Sequence, residues 1–245
     1  MTTPDTSPSD NGRGSDAWAR SWTHMRLDRR STGYCRVTFD HPPINTITAM
    51  TVAELAELVG LIEQDPDLNV VVFDSANPDF YLAHYDTEHD PAKTAALPVG
   101  TTELRAWPDL LVRLSRAPVV SIASIRGRAR GAGSEFVLAC DLRFASRENS
   151  LLGRFEVRPG PVAGGGPLAR LSRLVGRSRA LEILLLADDD LDGPRAEQYG
   201  YVNRAIAGDE LDDEVDRIAS RLARFDHDAI AQTKSHVDHV MSPGA

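Results

Sequence analysis

Apolar residues along the first part of the chain fall into short runs typical of strands and longer periodic segments typical of helices. The short runs are rich in β-branched and aromatic residues and predict strands over 35–39, 70–73 and 119–125. Between them, apolar residues at helical spacing predict helices over 51–63 and 103–116, the second interrupted by a proline. Strands that alternate with helices indicate an α/β fold.

The last third of the chain carries mostly helical patterns. Pro167 suits the first turn of a helix, and Gly, Asp and Pro residues divide the segments that follow it. Helices are predicted over 168–176, 179–187, 194–200, 210–225 and 227–240. Only 202–206 has the composition of a strand. We therefore expect a mixed core followed by a helical C-terminal part.

The charge balance narrows the classes of partner. The 245-residue chain has 36 acidic and 27 basic residues and a formal net charge of -9. Its surface therefore lacks the basic field that nucleic acid or anionic lipid would select. The longest apolar runs are also far shorter than the roughly 20 residues that span a bilayer. We expect neither a nucleic-acid-binding nor a membrane protein.

The cysteines and the N-terminal residues indicate the cellular compartment in which the protein is expected to work. Cys35 and Cys140 lie far apart, without the paired spacing of a zinc site, and are interpreted as buried thiols in a reducing compartment. Residues 1–25 are polar and rich in Ser, Pro, Gly and Asp, without the apolar core of a secretory signal. They are predicted to form a disordered tail on a cytoplasmic protein.

The first region with candidate chemistry is 121–141. A predicted buried strand leads through a glycine-rich turn into a short helix over 135–140 that has no polar stripe. Because a helix that is apolar all round is buried, Glu135 in its first turn should lie near the interior, beside the positive end of the helix dipole. Taken alone, such a glutamate is more often a helix-terminal charge that reaches solvent.

The second region, 151–171, places Glu156 between apolar residues and follows it with glycines at 160 and 164–166. Glycines let a ligand approach backbone amides closely, and the helix predicted at Pro167 adds an end favourable to anions. A turn-rich linker with a surface glutamate is the alternative, and taken singly it is the more common case.

The residue spacing does not match the patterns of three other kinds of functional site. A dinucleotide-binding G-x-G-x-x-G starting at Gly131 would need glycine where Phe136 stands. A nucleophile elbow around Ser134 lacks both flanking glycines, so Ser134 is interpreted as a helix start. The His, Asp and Glu residues over 84–90 are metal-ligand types without a recognised ligand spacing. They are better explained as a solvated acidic loop.

Three consecutive regions carry a resemblance to a known family: G-R-A-R-G-A-G-S-E-F-V-L-A-C-D at 127–141, the Glu156 region, and R-L-S-R-L-V-G-R-S-R-A-L-E at 170–182. Together they resemble the crotonase family of enoyl-CoA hydratases and isomerases. The family pattern is roughly G-x-A-x-G-G-G-x-E-x-x-x-x-C-D. The likeness begins at 37–39, includes Pro43 and Asn45, and covers most of the chain after residue 26.

The resemblance implies an α/β fold with a crotonase-like ββα spiral core over 26–190. A helical trimerisation region over 191–245 would follow, short relative to the family. It implies a homotrimer or a dimer of trimers, an acyl-CoA thioester as the substrate, and no cofactor beyond the coenzyme A that the substrate carries.

The resemblance also assigns roles to residues. Glu135 and Glu156 would flank the double bond of a 2-enoyl thioester, one activating water for attack at the β-carbon and the other handling the proton at the α-carbon. The backbone N–H groups of His84 and Ala132 would form the oxyanion hole for the thioester oxygen. The residues implied to contact substrate or coenzyme A are Leu82, Ala83, Tyr85, Asp86, Gly131, Gly133, Phe155 and Gly164.

Three departures from the family pattern are visible. Glu135 and Glu156 are 21 residues apart, one more than the usual hydratase spacing. The family loop A-G-A-D-[IL] reads L-A-H-Y-D over 82–86, which alters both its glycine and its acidic residue and could reshape the acyl pocket. Ala132 stands in place of a glycine, although a backbone donor does not depend on the side chain.

Hydration of 2-enoyl-CoA is the favoured activity, because both glutamates are present. Isomerase, hydrolase, decarboxylase and C–C lyase activities also occur on this fold, so the fold alone does not choose the reaction. A relative without turnover that binds acyl-CoA or a partner subunit is the alternative from another class. For Arg126, Arg128 and Arg130, a solvated turn is favoured over contact with coenzyme A phosphates.

Overall fold

The computed structural model describes residues 18–86, 91–153, 166–186 and 190–241. Its strands are β1 (Met25–Ser31), β2 (Tyr34–Phe39), β3 (Val70–Ser75), β4 (Phe80–Leu82), β5 (Val120–Ile125), β6 (Arg128–Arg130), β7 (Leu142–Ser146), β8 (Leu151–Gly153), β9 (Leu191–Asp192) and β10 (Arg204–Ile206). Its helices are α1 (Ala49–Gln64), α2 (Pro91–Ala95), α3 (Ala106–Arg116), α4 (Ala132–Ala139), α5 (Pro167–Val175), α6 (Arg177–Leu185), α7 (Gly193–Tyr199), α8 (Leu211–Leu222) and α9 (His227–Met241).

From β3 to β8, consecutive strands alternate between two sheets. The larger sheet has the order β1-β2-β3-β5-β7-β10, and the smaller one has the order β4-β6-β8-β9. Neighbouring strands are parallel except in the β1/β2 and β8/β9 pairs. The pairs β3–β4, β5–β6 and β7–β8 each place one strand in each sheet and are followed along the chain by helices. This repeat confirms the predicted α/β class and its ββα spiral.

The larger sheet is covered on both faces, as parallel sheets usually are. In β3, Val71 and Phe73 face the main core, whereas Val70 and Val72 face a second cluster formed with α8. This is the period-two alternation of a strand that is buried on both sides. The Phe73 ring meets the ring of Phe136 edge-on, with centroids 5.0 Å apart, and so links the sheet to α4.

Two predicted helix boundaries were wrong. The helix expected over 103–116 begins at Ala106, because Glu103 has φ 65° and cannot start a right-handed helix. Pro108 falls in the first turn, where no intrahelical N–H bond is required, and so does not interrupt it. Ser134 lies inside α4 rather than at its start. Its hydroxyl donates to a backbone carbonyl of β6 at 2.6 Å.

The cysteines and the N-terminal residues contribute to the core. Cys35 and Cys140 are buried and free of disulfides. Trp18 and Trp22 pack against the main core, just before β1, while residues 1–17 lie outside the described part of the chain. Within the described ranges, no helix has the length and apolar character needed to cross a lipid bilayer.

Candidate active site

Glu135 lies in the first turn of α4. Every residue of this helix is buried, and only 6% of Glu135 is exposed. Gly131 precedes the helix with φ 53°, a conformation that strains a residue with a Cβ. The glycine therefore permits the sharp turn from β6 into α4 that carries the carboxylate inside the protein.

An indole group holds the Glu135 carboxylate. Nε1 of Trp107, on α3, donates a hydrogen bond of 2.7 Å to Oε2 of Glu135. The Trp107 ring lies edge-on to the ring of Tyr85, with centroids 5.8 Å apart. Sequence reasoning missed Trp107, because it precedes Glu135 by 28 residues and follows the same apolar pattern as the core residues of α3.

The chain after β4 runs directly against the start of α4. The N–H of Gly133 donates to the carbonyl of Ala83 at 3.2 Å. A Cβ at position 133 would lie 2.2 Å from the carbonyl oxygen of Leu82. Because backbone atoms cannot yield as a flexible side chain can, this approach requires glycine.

The two predicted oxyanion donors, His84 and Ala132, lie on these adjoining segments. A Cβ at Gly131 would be 3.7 Å from the Cβ of His84, and Gly131 directly precedes Ala132. Within the described ranges, no acceptor is found for the N–H of either residue. Unpaired N–H groups beside a helix N-terminus suit an anionic oxygen.

The segment that carries His84 also forms hydrogen bonds with Asn45 and with the residues that follow it. The N–H of Ala83 donates to the Asn45 carbonyl at 3.2 Å, and the N–H of Ile47 donates to the His84 carbonyl at 3.1 Å. The Asn45 side-chain amide donates to a backbone carbonyl of β4 at 3.1 Å. Asn45 is buried and has φ 53°, a region that asparagine enters more readily than most residues. The segment is therefore fixed between Asn45 and α4.

Two groups near Glu135 respond to its charge. Burial raises the pKa of the Tyr85 phenol, a hydrogen bond with Thr94 opposes this rise, and the Glu135 carboxylate adds to it. Burial lowers the pKa of the Arg170 guanidinium, and the Glu135 carboxylate opposes that change. Tyr85 is therefore neutral near pH 7, and α5 brings a positive charge towards the site.

Some predicted site residues fall outside the described part of the chain. Glu156, Phe155 and Gly164 belong to 154–165, and part of the predicted acidic loop over 84–90 belongs to 87–90. The remaining candidates, Leu82, Ala83, His84, Tyr85, Asp86, Gly131, Ala132, Gly133 and Glu135, lie on β4, on α4 and on the segments adjoining them.

The three arginines of the glycine-rich turn have contacts within the protein. Arg126 forms an ion pair of 2.8 Å with Asp212, and Arg130 pairs with Asp190. Arg128 lies 5.3 Å from the centre of a phenylalanine ring of β4. These contacts connect the turn to α8, to the chain before β9 and to β4.

Comparison with known proteins agrees with this architecture. The chain matches the model of the enoyl-CoA hydratase/isomerase family over residues 29–244. It is 28% identical over 203 residues to a probable mitochondrial enoyl-CoA hydratase of Dictyostelium discoideum, a match that covers 82% of this chain and 71% of that protein. It is 27% identical over 210 residues to a probable enoyl-CoA hydratase of Mycobacterium leprae, covering 84% of this chain and 79% of that one.

Solved structures give the same result. A candidate enoyl-CoA hydratase from Streptomyces avermitilis is 42% identical and superposes with a TM-score of 0.85, covering 92% of this chain and 81% of that one. The spiral of paired strands and the family match together define a crotonase-fold protein. The chain belongs to the enoyl-CoA hydratase/isomerase family, a family of enzymes that act on acyl-CoA thioesters.

Proposed function

We propose that this protein adds water to the double bond of 2-enoyl-CoA thioesters. The observation that carries the proposal is the placement of Glu135. Its carboxylate is buried in the first turn of α4 and held by a hydrogen bond from Trp107, and α4 begins against the segment that carries His84. A buried proton-transfer group on a helix whose start meets N–H groups without an acceptor in the described residues is the arrangement that addition to an unsaturated thioester needs.

Hydration needs two proton transfers, and we assign them to Glu135 and Glu156. One glutamate activates water for attack at the β-carbon, and the other transfers the proton at the α-carbon. Each well-placed group of this kind typically contributes about 10²–10⁴-fold to the rate. The position of Glu156 in the sequence, after β8 and among glycines, supports its role in the pair.

The thioester oxygen gains enolate charge as the β-carbon is attacked. The N–H groups of His84 and Ala132 are proposed to stabilise this charge as an oxyanion hole. Removal of one such donor typically costs roughly 2.7–4 kcal/mol of transition-state stabilisation. Because Gly133 and Asn45 hold the two segments together, the donors would be in place before substrate binds.

The substrate would lie along β4 and the start of α4. Its proposed contacts are Leu82, Ala83, Tyr85, Asp86, Gly131, Gly133, Phe155 and Gly164. Coenzyme A is proposed to enter as part of the substrate, with no further cofactor. We further propose that the protein works in the cytoplasm as a homotrimer or a dimer of trimers, with α8 and α9 in its trimerisation region.

The test is to supply the purified protein with 2-enoyl-CoA thioesters of short and medium chain length and to follow the loss of the conjugated absorbance. Mass analysis of the product separates the candidate reactions. Hydration adds one water, double-bond migration leaves the mass unchanged, and thioester hydrolysis releases free coenzyme A. We expect the product heavier by one water. Thermal stabilisation by acyl-CoA without turnover would instead support a binding protein.

A further inference from the structure

Glu135 and Trp107 form their contact away from water. Only 6% of Glu135 and 7% of Trp107 is exposed, and the Nε1–Oε2 distance is 2.7 Å. A hydrogen bond between buried groups is stronger than one that exchanges with solvent, and one that ends on an ionised acceptor is stronger again. The contact is therefore able to restrain the position of the Glu135 carboxylate.

The indole N–H is a donor only and has no acceptor capacity. In the hydrogen bond with Glu135, Oε2 must therefore be the acceptor. Trp107 thus fixes the orientation of Oε2 through a single directional donor.

Trp107 also connects Glu135 to the segment that carries His84. The ring of Tyr85, the residue after His84, meets the Trp107 ring at 83° with centroids 5.8 Å apart, an edge-to-face geometry that aromatic pairs favour. The start of α3 is itself anchored, because the buried Asp109 accepts from both the N–H and the hydroxyl of Thr102 at 2.8 Å. Trp107 is therefore held in place by the Tyr85 ring and by the anchored start of α3.

We infer that Trp107 is a positioning residue for proton transfer by Glu135. It fixes the plane of the carboxylate and sets its position relative to the His84 segment through Tyr85. The inference rests on the proposed function, because it gives Glu135 a role in proton transfer. Trp107 acts through Glu135 and is not assigned a contact with substrate.

The first test is independent of turnover. The chain contains Trp18, Trp22 and Trp107, so a ¹H–¹⁵N spectrum has three indole signals, and Trp107→Phe assigns the one from Trp107. We expect that signal to lie downfield of the others at neutral pH and to move upfield in Glu135→Gln, because an uncharged amide oxygen is a weaker acceptor than a carboxylate. A Trp107 signal that Glu135→Gln leaves unmoved would overturn the inference.

The second test is kinetic and uses Trp107→Phe, which keeps an aromatic ring on α3 and removes the N–H. We expect kcat for hydration to fall by about 10–100-fold, the range for loss of a hydrogen bond to a charged group, with KM little changed.

Trp22→Phe is the matched control, because within the described residues Nε1 of Trp22 is buried and has no acceptor. It should leave kcat and KM unchanged. Full kcat in Trp107→Phe would contradict the positioning role. If the wild type hydrates no 2-enoyl-CoA thioester, the proposed function fails, and the indole signal still decides whether Trp107 holds the side chain of Glu135.

Discussion

Single backbone positions determine where the chemistry of this protein can occur. Gly133 allows the Leu82 carbonyl oxygen to approach within 2.2 Å of the place where a Cβ would stand. Its N–H also donates to the Ala83 carbonyl. The position of His84 next to α4 therefore depends on the absence of one methyl group.

We expect Gly133→Ala to lower the free energy of unfolding by about 1–3 kcal/mol, the usual cost of overpacking, and to reduce turnover as the His84 segment moves away. Gly60→Ala is the control, since a Cβ at that position in α1 would meet only a side-chain nitrogen at 3.5 Å. It should raise stability by about 0.5–1 kcal/mol. Denaturant unfolding of both variants measures the difference, and equal stability of Gly133→Ala and wild type would contradict the packing argument.

The burial of Glu135 could be predicted from the sequence, but its hydrogen-bond partner could not. The residues after Glu135 are apolar without a polar stripe, which is a local pattern that implies burial. The contact with Trp107 depends on how α3 packs against α4, and no local pattern encodes that packing. Glu156 lies outside the described residues, so its role stays a prediction.

Among the secondary-structure elements, α9 is attached to the core by a charge contact. Nζ of Lys234 donates to Oδ2 of Asp141 at 2.8 Å and to the Val119 carbonyl at 2.9 Å. Oδ2 of Asp141 also accepts from the N–H and the hydroxyl of Ser121 at 2.8 Å. Burial raises the pKa of Asp141, and the Lys234 charge opposes that rise.

We expect Lys234→Met to lower the free energy of unfolding by about 1–3 kcal/mol, because a largely buried carboxylate loses its partner. A raised folded-state pKa means that stability falls as pH rises through it. The deficit should therefore be larger near pH 8 than near pH 5, as measured by thermal unfolding. Asp141→Asn combined with Lys234→Met should recover part of the loss. A deficit that is constant with pH would exclude this role for Asp141.

Most of the longer elements were predicted from the sequence, although β1 and β7 were not, and of the three-residue strands only β10 was predicted. α1 and β3 lie within two residues of their predicted bounds, because their apolar patterns are long or strongly β-branched. The three-residue strands β4, β6 and β8 were not predicted, since three residues are too few to show a period. β1 was missed because its exposed edge is rich in charged residues. The smaller sheet therefore had no sequence signal of its own.

At the scale of the whole molecule, large apolar side chains are exposed on the helices of the C-terminal half and on the residues that follow them. They are Leu168, Leu174, Leu181, Leu185, Leu186, Phe225, Val237 and Val240. Exposed apolar surface of this kind is typical of protein–protein contacts. It supports the proposed trimer, because Phe225, Val237 and Val240 lie within the proposed trimerisation region over 191–245.

We expect light scattering on the purified protein to give the mass of three chains, or of six, each of 26.7 kDa. Val237→Glu combined with Val240→Glu on α9 should shift the mass towards a single chain, because charges are costly in an apolar contact. Gln64→Glu, an exposed change at the end of α1, is the control and should leave the mass unchanged. A wild-type protein that is monomeric at every concentration would exclude the proposed trimer.

The central claim is that Glu135 transfers a proton during hydration of a 2-enoyl-CoA. It is tested most directly by comparing the hydration rates of Glu135→Gln and wild type, with the exposed Glu197→Gln as the control. We expect Glu135→Gln to lower the rate by at least about 10²-fold, as loss of a general acid/base group does. The same loss is expected for Glu156→Gln, and Glu197→Gln should keep the wild-type rate. Hydration at the wild-type rate by Glu135→Gln would contradict the account.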